Sequence, residues 1–220
     1  PAADALDVNT DGRTIDEVVD QLVALFASTV HDPQRVAGCE NGNLDLGAVT
    51  HPGYVRTGNE DGFFASLTHA VFAVADGMGG HESGDYASQS IIRALDAVKA
   101  GQSLHALLAR AQAALIKANA VIRDYAARKG AGAIVGSTVA VFMARGERGC
   151  VTWAGDSRLY RLRAGRLEQL TRDHAWREPG PADTPPAAHR GNVITRAVGA
   201  YPELRLDTLW MDIQPGDVFL

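Results

Sequence analysis

The stretch that most narrows what this chain can fold into runs from Asn59 to Gly80: two short apolar runs joined by a turn, with carboxylates at both open ends. Phe63 to Leu67 reads as a strand, Thr68-His69 as a turn, and Ala70 to Ala75 as a buried strand of small apolar residues. An antiparallel hairpin of these two runs brings Glu60 and Asp61, at the entry of the first strand, beside Asp76, at the exit of the second. Three acidic groups on one sheet edge repel one another unless a cation sits among them or some stay protonated. Oxygen donors with no His or Cys converging by local spacing favour a hard ion such as Mg2+ or Mn2+ over Zn2+. The run Gly77-Met78-Gly79-Gly80 lets the backbone turn sharply and offer a carbonyl to an ion or its waters. Asp-Gly alone is also a common turn signal. Its pairing with Glu60-Asp61 points instead to a metal site that can admit a phosphate.

The rest of the chain can be read around that hairpin. Ser83 to Ala100 and Ser103 to Arg128 have helical spacing, broken at Gly101. Their apolar positions Ile91, Leu95 and Val98, then Leu104, Leu107, Leu108, Leu115 and Ile116, form a stripe read as core. Ser137 to Met143 and Cys150 to Ala154 are strand-like, and Asp156 stands just past the second, so a carboxylate again closes a strand. Leu159 to Arg163 and Leu167 to Leu170 form a hairpin about Ala164-Gly165. Arg172 to Gly191 contains Pro179, Pro181, Pro185 and Pro186 and is unsuited to helix or central strand. Before the hairpin, Thr14-Ile15-Asp16-Glu17 has the capping-box pattern, and Ile15, Val18, Val19, Leu22, Leu25 and Phe26 recur at helical spacing. A polar run through Asn43 then leads to a first strand at Leu44 to Thr50. The expected division is therefore residues 1–43, an amphipathic helix and linker and a candidate tail of a preceding domain, and residues 44–220, one domain.

Arg56-Thr57-Gly58-Asn59-Glu60-Asp61, Val74-Ala75-Asp76-Gly77-Met78-Gly79-Gly80 and Gly155-Asp156-Ser157-Arg158 together resemble the metal-dependent Ser/Thr protein phosphatases of type 2C, bacterial branch. Thr171-Arg172-Asp173-His174 and Asn192 to Gly199 resemble the later blocks of that family. Five ordered motifs from about Leu44 onward are far more specific than any one alone. The resemblance implies an α+β fold, a two-sheet antiparallel β-sandwich flanked by helices in α-β-β-α layers. It implies that Asp76 bridges two Mn2+ or Mg2+ ions, that the Gly77 carbonyl and Glu60 serve the second ion, and that Asp61 orients a metal-bound water. Arg56 corresponds to the arginine that grips the substrate phosphate, for which its fork of donors is suited. Asp156 corresponds to a third, weaker metal site of bacterial members. The implied reaction is direct attack of a metal-activated water on phosphoserine or phosphothreonine in proteins, without a covalent enzyme intermediate. Arg172 to Gly191 corresponds to a flap that affects substrate choice, where Asp173, His174 and Asn192 either touch substrate or anchor the flap.

Two departures from the family pattern stand out. Met78 occupies the place where some members carry a histidine proposed as the acid for the leaving group, and a thioether cannot donate a proton. His81 lies nearby, but a histidine at a helix start is more often solvated or capping. The chain closes at Gln214 to Leu220, in a turn and the start of a strand, before the family's Ser-Asp-Gly and Asp-Asn blocks. The expectation is a C-terminally incomplete domain, a piece of a longer active protein that is weak or inactive by itself. The rival from another class is a non-catalytic phosphoprotein-binding regulatory module, a pseudophosphatase; a hydrolase of small phosphate esters would use the same centre.

Composition sets outer limits. The 220 residues, 46% hydrophobic and 21% charged, can bury one sizeable core. A net charge of -5 gives no general attraction to nucleic acid. Arg145, Arg148, Arg158, Arg161, Arg163 and Arg166 cluster in sequence, read as the solvated face of a hairpin in preference to a docking patch for phosphorylated, acidic partners. No apolar run approaches the roughly 20 residues of a membrane span. Cys39 and Cys150 are too few for a disulfide framework or a zinc site. A monomer in the cytoplasm, acting on phosphorylated substrates of a Ser/Thr kinase, is the expected setting.

Overall fold

Short strands between residues 61 and 154, joined by one at 207–212, build a six-stranded antiparallel sheet whose central strands are buried on both faces, with two helices on one face and a three-stranded sheet against the other. The computed structural model describes residues 44, 46–50, 58–99, 101–130, 132–176 and 193–220. The chain divides into two units, Pro1–Val49 and Thr50–Leu220, and every element named below belongs to the second. The expected helix around Thr14 to Phe26, Arg56, Asn192 and most of the proline-rich stretch lie outside the described residues.

The hairpin expected from the sequence is present as β1 (Asp61–Ser66) and β2 (Val71–Met78), paired antiparallel. Ala70 closes the connecting turn with φ 46° and is not the first residue of the second strand. The short strand β3 (Gly136–Ser137) pairs with the end of β2, and β4 (Val139–Arg145), β5 (Arg148–Ala154) and β10 (Asp207–Asp212) complete the order β1-β2-β4-β5-β10. On β4 the parity of the strand separates two environments. Val139, Val141 and Met143 join Val71, Ala73, Cys150 and Ala154 in the core beneath the helices. Phe142 points to the other face, its ring 4.5 Å from that of Phe219. Phe219 belongs to β11 (Val218–Phe219), which with β6 (Tyr160–Arg163) and β7 (Arg166–Gln169) forms the second sheet in the order β11-β6-β7. The β6-β7 turn falls at Ala164 and Gly165, both at positive φ (49° and 77°). A two-stranded ribbon, β8 (Ala175–Trp176) with β9 (Val193–Ile194), completes the set.

Helix α1 (His81–Asp96) starts two residues earlier than its apolar spacing suggests, because the Gly80 carbonyl accepts from Ser83 and Gly84. Helix α2 (Leu104–Lys129) begins at Ser103, whose hydroxyl accepts from the Ala106 amide as an N-cap. Ile91, Leu95, Leu104, Leu107, Leu108 and Leu115 are buried as expected, and Val98 packs against them partly buried. Ile116 is a correction: it is 56% exposed, whereas Leu115 is 0% exposed. One helix step rotates about 100°; the buried face is wide enough to hold the neighbours Leu107 and Leu108, but the step from Leu115 carries Ile116 past its edge to the solvent side. The strand expected at Leu44 to Thr50 is a second correction, since none of its described residues is in a strand.

Two of the clustered arginines, Arg161 and Arg163, are taken up by carboxylates of the second sheet and of the turn before β11. Arg161 bonds Glu168 across β6-β7, and Arg163 holds Asp217 through Nε at 2.7 Å. Asp217 also accepts from the Gln214 amide, so it ties the turn before β11 to β6. Hydrogen bonding to Arg163 holds the Asp217 carboxyl below its ordinary value, with burial acting in the opposite direction. A carboxyl depressed in the folded state contributes stability that is complete above its unfolded pKa of about 3.9 and is lost as pH falls through the folded value.

Two outcomes follow for stability. In urea denaturation Leu115→Ala costs about 2–5 kcal/mol, while Ile116→Ala stays within about 0.5 kcal/mol; equal losses would contradict the assigned faces. Arg163→Met flattens the fall in stability below about pH 4 relative to the unsubstituted protein, and an unchanged acid profile would show that the pair carries none of it.

Candidate metal and phosphate site

The open end of the β1-β2 hairpin is built by local capping. Asn59 accepts from the Asp61 amide at 3.0 Å and donates to Thr50 at 2.6 Å, which turns the chain into β1 with Glu60 and Asp61 at its mouth. In the strand register Asp61 stands directly opposite Asp76. Both are exposed, and like charges at directly paired positions disfavour the pairing by themselves. On the same face the next pair is Phe63 opposite Val74, an apolar step beside the carboxylates.

Behind Asp76 the chain crosses helix α1 at backbone contact. The Gly77 amide donates to the Glu60 carbonyl at 3.1 Å. A Cβ on Gly77 would lie 2.1 Å from the Gly84 carbonyl oxygen, and one on Gly84 would lie 2.2 Å from the Glu60 carboxylate. Only a pair of glycines permits this approach, and it places the Glu60 carboxylate against the first turn of α1. Gly84 escapes a reading of the sequence alone, although its spacing of seven from Gly77 was a usable sign once a helix was expected to begin near His81.

Thr138 joins this end of the hairpin to the second acidic loop. Its hydroxyl accepts from the Asp76 amide at 3.1 Å and lies 2.6 Å from the Ser157 hydroxyl, while its own amide donates to the Asp76 carbonyl at 2.9 Å. Gly155 has φ 110°, and a Cβ there would meet the Thr138 side chain at 2.6 Å. Asp156 thus sits between two residues held against Thr138. Ser157 and Thr138 are further residues that the sequence motifs did not single out by role.

Of the residues expected near the flap, Asp173 and His174 are described, and both are bonded to the body of the domain. Asp173 receives both Nε and Nη2 of Arg158, at 2.8 and 2.6 Å, and this bonding raises the guanidinium pKa against the opposing effect of burial. His174 is buried, its backbone amide donating to the Gly155 carbonyl and its carbonyl accepting from Thr195. The block ending at Gly199 docks through Asn119 of α2, which accepts from the Gly199 amide at 2.6 Å and donates to the Tyr201 carbonyl at 3.0 Å.

Arg56 and the His81 side chain lie outside the described residues. Glu60, Asp61, Asp76 and Gly77 come together at one end of the hairpin, and Asp156 is linked to them through Thr138. Among the described residues no group of three or more His, Cys, Asp or Glu side chains closes into a metal-holding cluster. The donor chemistry nonetheless suits a hard divalent cation: carboxylate oxygens facing in register, with glycine backbone beside them and no thiol or imidazole in the set.

Comparison with known proteins agrees with this geometry. The family model for protein phosphatase 2C matches residues 53–179. The serine/threonine protein phosphatase PstP of Mycobacterium tuberculosis is 32% identical over 183 residues, which cover 80% of this chain and 35% of PstP. The chain therefore spans about a third of that relative's length. Among solved structures, PppA, described as a key regulatory component of the T6SS in Pseudomonas aeruginosa, superposes with a TM-score of 0.69 at 38% identity, over 77% of this chain and 72% of that one. The catalytic domain of PstP in complex with two manganese ions superposes with a TM-score of 0.63 at 32% identity, over 77% and 72% of the two chains. With its antiparallel sheets, its carboxylate-bearing hairpin and these matches, the chain belongs to the protein phosphatase 2C family.

Proposed function

We propose that this chain is the phosphatase module of a protein that removes phosphate from phosphoserine and phosphothreonine in other proteins, using Mn2+ or Mg2+. The observation that carries the reading is the register of Asp61 opposite Asp76 at the mouth of the hairpin, in a member of a family whose relative PstP is solved with two manganese ions. Bound Mn2+ or Mg2+ would supply Lewis acidity, making water nucleophilic near neutral pH and neutralising charge on the phosphoryl group.

In this reading Asp76, Glu60 and the Gly77 carbonyl would hold the ions, and Asp156 would hold a further, weaker one. Asp61 would orient a water toward the phosphoryl group. Arg56 grips two phosphate oxygens with its planar fork, which a lysine would not reproduce. Met78 offers no proton, so protonation of the leaving oxygen falls to water or another group. The exposed apolar pair Phe63 and Val74 lies next to the carboxylates and offers a surface for the residues flanking a phosphorylated side chain. No described helix is long and apolar enough to cross a membrane. The reading places a monomeric protein in the cytoplasm, opposing a Ser/Thr kinase on its phosphorylated substrates.

A non-catalytic phosphoprotein-binding role is the second reading, favoured by the lack of a closed three-ligand cluster among the described residues. The two separate in one assay on the full-length protein that carries this chain: Mn2+-dependent release of phosphate from a phosphothreonine peptide. Turnover that Asp76→Asn nearly abolishes is the expected result. Peptide binding without metal-dependent turnover, or turnover retained in the variant, would overturn the hydrolase reading.

Thr138→Val tests the link between the two acidic loops. It leaves the Asp76 amide and the Ser157 hydroxyl without their shared partner, so we expect a loss of about 1–3 kcal/mol in stability and a higher Mn2+ requirement. Unchanged values of both would show that the hydroxyl does not couple the loops.

A further inference from the structure

His174 is 8% exposed, with its imidazole lying parallel to the Trp153 ring at a centroid separation of 5.8 Å. The Gly155 amide lies 3.2 Å from its Nδ1. A backbone amide can only donate, so Nδ1 accepts and carries no proton. The proton therefore sits on Nε2, which is 3.1 Å from Asp207 Oδ2. Asp207 is fixed in turn by Arg196, whose Nη1 donates to Oδ1 at 2.6 Å; with Nε2 protonated, the 3.3 Å approach of the same Nη1 to Nε2 sets two donors side by side and makes no hydrogen bond. The His174 main chain closes the grip, its amide donating to the Gly155 carbonyl at 2.9 Å. Both polar backbone groups of Gly155 are thus held by one residue, immediately before Asp156. On the far side of Asp156, Ser157 is held by Thr138 at 2.6 Å.

We propose that His174 is a positioning residue for Asp156: its imidazole, kept in the Nε2-protonated tautomer by Asp207, clamps Gly155 and so sets where the Asp156 carboxylate stands. This rests on the reading of Asp156 as a carboxylate that binds a divalent ion. The Nδ1 acceptor is what matters. An asparagine side chain places its oxygen near the position of Nδ1 and can still accept from Gly155, whereas leucine fills similar space and cannot.

The test compares His174→Leu with His174→Asn by two readouts. The first is amide hydrogen exchange at Gly155 in metal-free protein, with Val141 of the core sheet as an internal reference. Protection at Gly155 should fall about tenfold in His174→Leu and persist in His174→Asn, with Val141 unchanged in both. The second is Mn2+ binding followed by titration of the free-ion EPR signal, which needs no turnover. The weakest binding step should weaken about tenfold or more in His174→Leu and recover in His174→Asn. The proposal is overturned if Gly155 protection survives in His174→Leu, if His174→Asn behaves as His174→Leu does, or if the weakest Mn2+ step does not move. Failure of the phosphatase reading appears separately, as absence of Mn2+-dependent phosphate release by the unsubstituted full-length protein that still binds the ion.

Discussion

The antiparallel register of β1 with β2 sets Asp61 against Asp76, and the remainder of the candidate site is arranged around that pair. Strand pairing leaves no freedom to avoid the juxtaposition, because a slip of one residue would turn Ala73 and Ala75 out of the helix-side core. The repulsion between the two carboxylates is therefore imposed by hydrophobic burial on the opposite face. In the proposed reading a divalent cation would convert that repulsion into a binding site, which would give a physical reason for a stable fold to present acidic groups in this way.

The second constraint is the crossing of Gly77 with Gly84. Helix α1 must pass within backbone contact of the strand end, so the glycine run from Gly77 to Gly80 both turns the chain and brings the helix start against Glu60. Thr138 then ties the same strand end to the Gly155-Asp156-Ser157 loop. Backbone amides and two hydroxyls make these links, and such bonds position a carboxylate without competing for its oxygens.

Much of this was legible in the sequence where periodicity is local. The β1-β2 and β6-β7 hairpins, the two helices and the break at Gly101 follow from alternation, helical spacing and turn residues. Ile116 was misplaced because an apolar residue adjacent to Leu115 looks equivalent in a list of hydrophobic positions but projects around the helix. Thr138, Gly84, Asn119 and the Arg163-Asp217 pair were not legible in role, since each acts on a partner brought near only by the fold. For Asp173 and His174 the sequence left substrate contact and anchoring open, and the bonds to Arg158, Gly155 and Asp207 favour anchoring. The solvated-face expectation for the arginine cluster is met at Arg148, whose side chain is 67% exposed, whereas Arg158, Arg161 and Arg163 are part-buried against Asp173, Glu168 and Asp217.

The most direct measurement is the manganese anomalous difference map of crystals grown with Mn2+. A peak about 2.1 Å from an Asp76 carboxylate oxygen, on the side of the hairpin that faces Asp61, is the predicted result. Ordered manganese only elsewhere, with none bound to Asp76 at the mouth of the hairpin, would contradict the claim that this register makes the site.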